Sequence, residues 1–137
     1  SIEEIRLASP MLLDRIFSQC NKLKRLTVHA TQDRSMKDLK SLPSLTSLDL
    51  GWTVASDKSL SSLLRKLKNL SEIKLDRATK MQGKCIKYFS SAMKIVSLKS
   101  CSTLEGKYIK FLSQSCPNLE ELYVPECKLT NISVEAI

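Results

Sequence analysis

Ser115-Cys116-Pro117-Asn118-Leu119-Glu120-Glu121-Leu122-Tyr123-Val124-Pro125-Glu126-Cys127 decides the architecture of this chain. It is apolar at 119, 122 and 124, and a Cys follows three residues after the last of these. Residues 122 and 124 are two apart, so on an extended strand they point to one side. The same spacing recurs at Ile2/Ile5/Leu7, Leu23/Leu26/Val28, Leu45/Leu48/Leu50, Leu70/Ile73/Leu75 and Met93/Val96/Leu98. Successive registers begin 21, 22, 25, 23 and 26 residues apart, and all 18 slots are apolar. One copy of such a pattern says little. Six in series describe a unit that cannot bury its apolar face alone and must stack on its neighbours.

Each register predicts a short strand, near 2–8, 23–29, 45–51, 70–76, 93–99 and 119–125. Between strands the pattern turns helical. Ser9-Pro10 reads as a cap and first helical residue, with Met11, Leu12, Leu13, Ile16 and Phe17 as a buried stripe. The second helix is expected over 36–42, ended by Pro43. The third opens at Ser56-Asp57, with Leu60, Leu63, Leu64 and Leu67 inside. The fourth is expected over 82–92 and the fifth over 106–116. A sixth starts around Ile132, Val134 and Ile137.

The 137 residues suffice for one continuous core, so 1–137 reads as one domain of about six repeats. Three Gly and four Pro argue against a hairpin-rich β fold. No apolar run is long enough to span a membrane. The chain starts at a Ser with no signal-peptide pattern, and neither end reads as a polar cap. A piece of a longer protein is therefore expected, with a longer array or end-to-end contact at the termini.

The net charge of +8 is uneven. From Lys58 to Lys110, 13 Lys and Arg stand against three acids, a net of +10, and the remainder carries −2. The five Cys form no C-x-x-C pair, and one His cannot complete a Cys/His zinc site. They read as small buried hydrophobes in a reducing, intracellular setting, cytoplasmic or nuclear.

L-x-x-L-x-L-x-x-C is the spacing of a leucine-rich repeat. With Cys101 and Cys127 in the ninth slot, and Cys-Pro-Asn-Leu at 116–119 leading into a strand, the chain resembles the cysteine-containing subfamily. That subfamily occurs in F-box/LRR proteins, the substrate receptors of SCF-type ubiquitin ligases. Residues 98–104 and 115–122 carry the resemblance, and 19–26 is a looser copy. Thr53 and Ala78 depart from it. The resemblance implies an α/β fold: a right-handed leucine-rich-repeat solenoid with a parallel concave sheet and convex helices. It also implies an intracellular adaptor for protein–protein interaction, with no cofactor.

On such a sheet the residues between the buried positions face the concave side. The partner-binding candidates there are Arg25, Thr27, His29, Asp49, Glu72, Lys74, Asp76, Ile95, Lys99, Glu121 and Tyr123. The central column reads Arg6, Thr27, Asp49, Lys74, Ser97, Tyr123, with Asp49 beside Lys74 as charge-complementary neighbours that either pair on the bare face or meet a polar ligand. Trp52, the only Trp, falls just past a strand at the sheet rim. It is either an interface anchor or packed over the turn on Leu75 or the next helix. His29 lacks convergent partners for a metal site. Cys residues inside the coil exclude a Cys-His dyad. No phosphate-binding loop can be built from three Gly, and neighbouring acids such as Glu120 and Glu121 point to opposite faces. No catalytic, metal or cofactor residue is assigned.

Two functions stand at this stage. The first is a non-enzymatic module that holds a protein or peptide on the concave sheet, in the family reading a ubiquitylation substrate. The alternative is a basic scaffold that binds nucleic acid or an acidic surface through residues 58–110. Its candidate residues are Lys80, Lys84, Lys87, Lys94, Lys107 and Lys110.

Overall fold

Six strands occupy the six expected registers: β1 (Glu4–Leu7), β2 (Arg25–Val28), β3 (Ser47–Asp49), β4 (Glu72–Lys74), β5 (Ile95–Ser97) and β6 (Glu121–Tyr123). The computed structural model describes residues 2–13, 15, 20 and 22–125. The strands form one parallel sheet in chain order. Each is in register with its neighbour one repeat away, so Arg6, Thr27, Asp49, Lys74, Ser97 and Tyr123 make one row, as expected. Parallel neighbours need a crossover, and here the crossovers are the convex segments of a solenoid.

The apolar triplets are the core. Leu45, Leu48 and Leu50, then Leu70, Ile73 and Leu75, then Met93, Val96 and Leu98 are all fully buried. Ile5 and Leu7 on β1 and Leu122 on β6 are only half-buried. Among the described residues these are the edge strands of the sheet, with a neighbour on one side. Among the described residues no buried side-chain polar atom lacks a hydrogen-bond partner.

Each inner repeat leaves the sheet in the same way. Ala30, Trp52, Arg77 and Ser100 all have left-handed backbones, with φ of 58°, 64°, 61° and 57°. They lie 22, 25 and 23 residues apart, the spacing of the repeat itself. Three of their N–H groups extend the ladder past the strands: Ala30 donates to the Gly51 carbonyl at 3.1 Å, Trp52 to the Asp76 carbonyl at 2.8 Å and Arg77 to the Lys99 carbonyl at 2.8 Å. The next residue then drops into the core. Thr31, Thr53, Ala78 and Cys101 fill this slot and are fully buried. The Thr31 hydroxyl donates to Thr53 Oγ1 at 2.7 Å, and Thr53 donates to the Thr31 carbonyl at 3.1 Å. Cys101 Sγ donates to the Leu75 carbonyl at 3.0 Å. A buried polar side chain in this slot meets its hydrogen bonds on an adjacent turn of the coil.

On the convex side the expected elements shorten. Among the described residues α1 (Met36–Leu39) follows a 3-10 helix at Asp33–Ser35, and α2 (Asp57–Leu64) comes one repeat later. Ser56 caps α2 by accepting the Ser59 N–H, and Leu60, Leu63 and Leu64 are buried, as expected. The helix expected over 82–92 is instead a 3-10 helix, Lys84–Tyr88. The one expected over 106–116 is a 3-10 helix, Gly106–Phe111, running into α3 (Leu112–Ser115). Over five or six residues an apolar stripe fits either period, and the 3-10 form spans more length per residue. Near the start, Pro10–Leu12 is also a 3-10 helix, and the Ser9 side chain makes no capping bond. Met11 is 83% exposed, so it does not belong to a buried stripe; Leu13 does. Ile16, Phe17, Cys127 and the sixth helix lie outside the described residues.

Asp side chains tie one convex segment to the next. Asp33 Oδ1 accepts the Ser56 N–H at 2.8 Å and its hydroxyl at 3.2 Å. These bonds, the Ser56 N–H first, hold the Asp33 carboxyl below its usual range. The Asp57 carboxylate accepts the N–H groups of Gln82, Gly83 and Cys85 at 2.7, 3.1 and 3.2 Å.

Candidate functional site

A strand that alternates buried and outward residues offers two outward side chains at most over three or four residues. The concave surface is thus assembled from six strands, and its composition follows from the register. A shallow groove of about 840 Å³ runs across the first four strands. Glu4, Arg6, Arg25, Thr27, His29, Asp49, Glu72 and Lys74 are among its lining residues. Of the residues expected on this face, the structure gathers six around the groove: Arg25, Thr27, His29, Asp49, Glu72 and Lys74. Thr46 and Ser71, one residue before β3 and β4, complete its lower edge and were not anticipated.

Of the two alternatives for Asp49 and Lys74, a pair on the bare face does not form. The two are register partners, but each finds a nearer companion. Asp49 Oδ1 accepts the Gly51 N–H at 2.9 Å and lies 3.8 Å from His29 Nε2. Lys74 Nζ lies 3.7 Å from Glu72 Oε1 on its own strand. Residues two apart on a strand share a face, so an in-strand partner competes on equal terms with a cross-strand one. Exposed pairs of this kind contribute less than about 1 kcal/mol each, so a ligand can replace them at little cost.

Beyond the groove the row changes character. Ser97 is buried, and its hydroxyl donates to Asp76 Oδ1 at 2.6 Å. The same oxygen accepts the Lys99 N–H at 2.9 Å. Asp76 is therefore a brace between β4 and β5 rather than a free carboxylate. Ile95 is half-buried. Tyr123 is 41% exposed, donates its hydroxyl hydrogen to Glu121 Oε1 at 3.0 Å, and carries the Lys99 ammonium 4.6 Å from its ring centroid. The Glu121 bond, and then its charge, raises the Tyr123 phenol above its usual value.

Trp52 is 55% exposed at the rim. The Arg77 guanidinium lies 4.8 Å from its ring centroid. Sequence reasoning singled out Trp52 and passed over Arg77, although the register carries the signal: Arg77 is the same slot one repeat later.

His29 is half-buried, and no group of three or more His, Cys, Asp or Glu among the described residues could hold a metal. Cys85 and Cys116 are buried on the convex side of the coil and Cys101 inside the turn. Desolvation pushes the thiols of all three up, Cys116 to about 11. A thiol held protonated is a poor nucleophile. The six basic candidates divide. Lys80, Lys84 and Lys87 line one convex groove. Lys94 sits at the foot of β5, its N–H bonded to the Ser71 carbonyl. Lys107 pairs with Glu105 at 3.2 Å, and the Lys110 ammonium lies 5.9 Å from the Phe111 ring centroid. No helix among the described residues is long and apolar enough to cross a membrane.

Residues 3–136 match the family model described as FBD-associated F-box protein At5g56370, LRR repeats. No curated protein matches the chain. Among solved structures, the tropomodulin C-terminal domain of Caenorhabditis elegans is similar, with a TM-score of 0.61 over 86% of this chain and 84% of that one. The identity is 15%, so the likeness concerns the fold alone.

Proposed function

The chain belongs to the leucine-rich-repeat family of FBD-associated F-box proteins, and from that membership we propose that it is a non-enzymatic recognition module, the part of a ubiquitin-ligase receptor that holds the substrate protein. The partner lies along the concave sheet. The groove lined by Arg25, Asp49, Glu72 and Lys74 takes its polar side chains, and Trp52 with Arg77 forms an anchor at the rim.

One observation carries this reading. The only Trp of the chain is held outward, half-exposed, in a left-handed conformation on the rim beside a groove of mixed charge. A large aromatic with one face on a cation and the rest in solvent is the composition of an interface hot spot. The groove offers paired charges of both signs, which suits a polypeptide better than a uniform polyanion. The site is intracellular in this reading, since substrate receptors of such ligases act there.

The test begins with a displayed peptide library selected on the wild-type chain. Selected ligands should bind Trp52→Ala and Lys74→Glu about tenfold or more weakly, and should bind Lys84→Glu as they bind wild type. Ligands indifferent to Trp52 and Lys74 overturn the concave reading. For the ligase role, a cellular protein that carries the selected motif should accumulate when the full-length product is removed. Unchanged turnover of every such protein overturns it.

A further inference from the structure

On the side of the coil away from the sheet, three shallow grooves run next to one another along the convex segments of the second, third and fourth repeats. The first is walled by Arg34, Lys37, Lys40 and Lys58. The middle one, of about 740 Å³, is walled by Lys58, Arg65, Lys80, Lys84 and Lys87. The third adds Lys68 to Arg65 and Lys87. They share their walls: Lys58 with Ser56 and Ser62 separates the first two, and Arg65, Lys87 and Tyr88 separate the last two.

Nine Lys and Arg line this band against two carboxylates, Asp33 and Asp57. Both carboxylates are engaged. Asp33 accepts from Ser56, and Asp57 accepts three backbone N–H groups of the next repeat. None of the nine cations takes part in an ion pair among the described residues. The acids that could neutralise the band instead hold the repeats together. Six of the 13 Lys and Arg between Lys58 and Lys110 stand in this band, and Arg34, Lys37 and Lys40 extend it backward.

We propose that this convex band docks an acidic segment of a partner polypeptide, a run of successive Asp or Glu side chains. Charge complementarity supplies the attraction. The hydroxyls of Ser61 and Ser62 stand between the cations and offer further donors to carboxylates. Two other polyanions fit the same surface less well. A nucleic-acid strand binds by stacking bases on free aromatic faces. Tyr88 and Phe89 are the only aromatic residues lining the band. Phe89 is buried, and the Tyr88 ring is covered by the Arg65 guanidinium at 4.2 Å and the Lys87 ammonium at 5.1 Å. A membrane surface is held by basic side chains together with inserted apolar ones. The exposed large hydrophobics among the described residues are Ile2, Met11, Trp52 and Tyr123, none of which lines these grooves. The band lies on the other side of the coil from the concave sheet, so this site stands or falls separately from the substrate face.

The experiment titrates a fluorescent oligoglutamate peptide, a polyuridylate RNA and phosphatidylserine vesicles against the chain at several salt concentrations. The peptide should bind, with an affinity that falls as salt rises. The triple variant Arg65→Glu, Lys84→Glu, Lys87→Glu should weaken it about tenfold or more. A charge-matched control, Lys24→Glu, Lys107→Glu, Lys110→Glu, should weaken it much less. The milder pair Lys84→Gln, Lys87→Gln, checked by circular dichroism, guards against misfolding and should shift binding in the same direction. Equal loss in the control means net charge alone and overturns the proposal. So does tighter binding of the RNA than of the peptide at equal salt, or binding to vesicles only. Loss of peptide binding in Trp52→Ala would also overturn it, by placing the ligand on the rim.

Discussion

Arg77 lies over the indole of Trp52, its guanidinium carbon 4.8 Å from the ring centroid, and the two occupy the same left-handed slot of consecutive repeats. The contact exists because the solenoid stacks equivalent positions side by side. An exposed cation–π pair contributes about 0.5–1 kcal/mol, so Arg77→Ala should cost less than about 1 kcal/mol of stability. It should nonetheless change the emission of Trp52, the chain's only indole. Fluorescence that is identical in wild type and Arg77→Ala, with circular dichroism unchanged, would show that the pair does not persist in solution.

The left-handed column makes a second prediction. An L-residue there pays a steric penalty of about 1–2 kcal/mol that Gly avoids, while Gly loses more chain entropy on folding, about 0.5–1 kcal/mol. Ala30 is exposed at φ 58° and uses only its backbone, its N–H donating to the Gly51 carbonyl. Ala30→Gly should therefore stabilise the fold by about 0.5–1 kcal/mol. Urea denaturation should show the midpoint rising. A fall would mean that the turn is unstrained.

Asp57 joins two repeats through three N–H groups. It also stands in the first turn of α2, where a negative charge is favourable. Asp57→Ala leaves those donors to find water and should destabilise the chain by about 1–3 kcal/mol. Asp57→Asn retains an acceptor oxygen and should recover part of the loss. Equal stability of wild type and Asp57→Ala would show that solvent replaces the bridge without cost.

Stability should fall in mild alkali. In the unfolded chain a thiol ionises near ~8.5, whereas burial holds Cys116 protonated up to about 11 and pushes Cys85 and Cys101 up as well. Below the unfolded thiol pKa both states carry the proton and this contribution is whole. As pH rises beyond it the unfolded state loses protons that the folded state keeps, and stability declines through the folded pKa. Denaturation midpoints measured from neutral pH to about pH 10 should drop, and the drop should be smaller in Cys116→Ala. An equal drop in the two would assign the alkaline loss to other groups.

Much of the fold was legible from spacing. The apolar slots at 45, 48 and 50, or 70, 73 and 75, place strand, face and register together, because a two-residue alternation leaves no other way to bury both side chains. The concave row from Arg6 to Tyr123 followed directly. The convex segments were less legible. A stripe such as Cys85, Ile86 and Phe89 is too short to tell a 3-10 helix from an α-helix, and Met11 had the composition of a core residue without its direction. Within the candidate site, the membership of the face was readable, but the pairings on it were not. Asp49 and Lys74 are register partners, yet Gly51, His29 and Glu72 take their charges.

The sequence by itself determined the repeat, the six strands and their parallel order, since each turn of the coil is specified by apolar residues at fixed short separations. It also determined which strand side chains face the concave side, since that row follows from alternation; for Trp52 it left both the anchor and the packed reading open. Only the tertiary structure decided what those side chains meet. Whether Arg77 covers Trp52, whether Asp57 is free or bound by the next repeat, and whether the basic residues spread out or gather into one band depend on contacts between residues more than 20 positions apart. Such contacts depend on side-chain direction and competition among neighbours at similar distance, and local spacing carries no information about either.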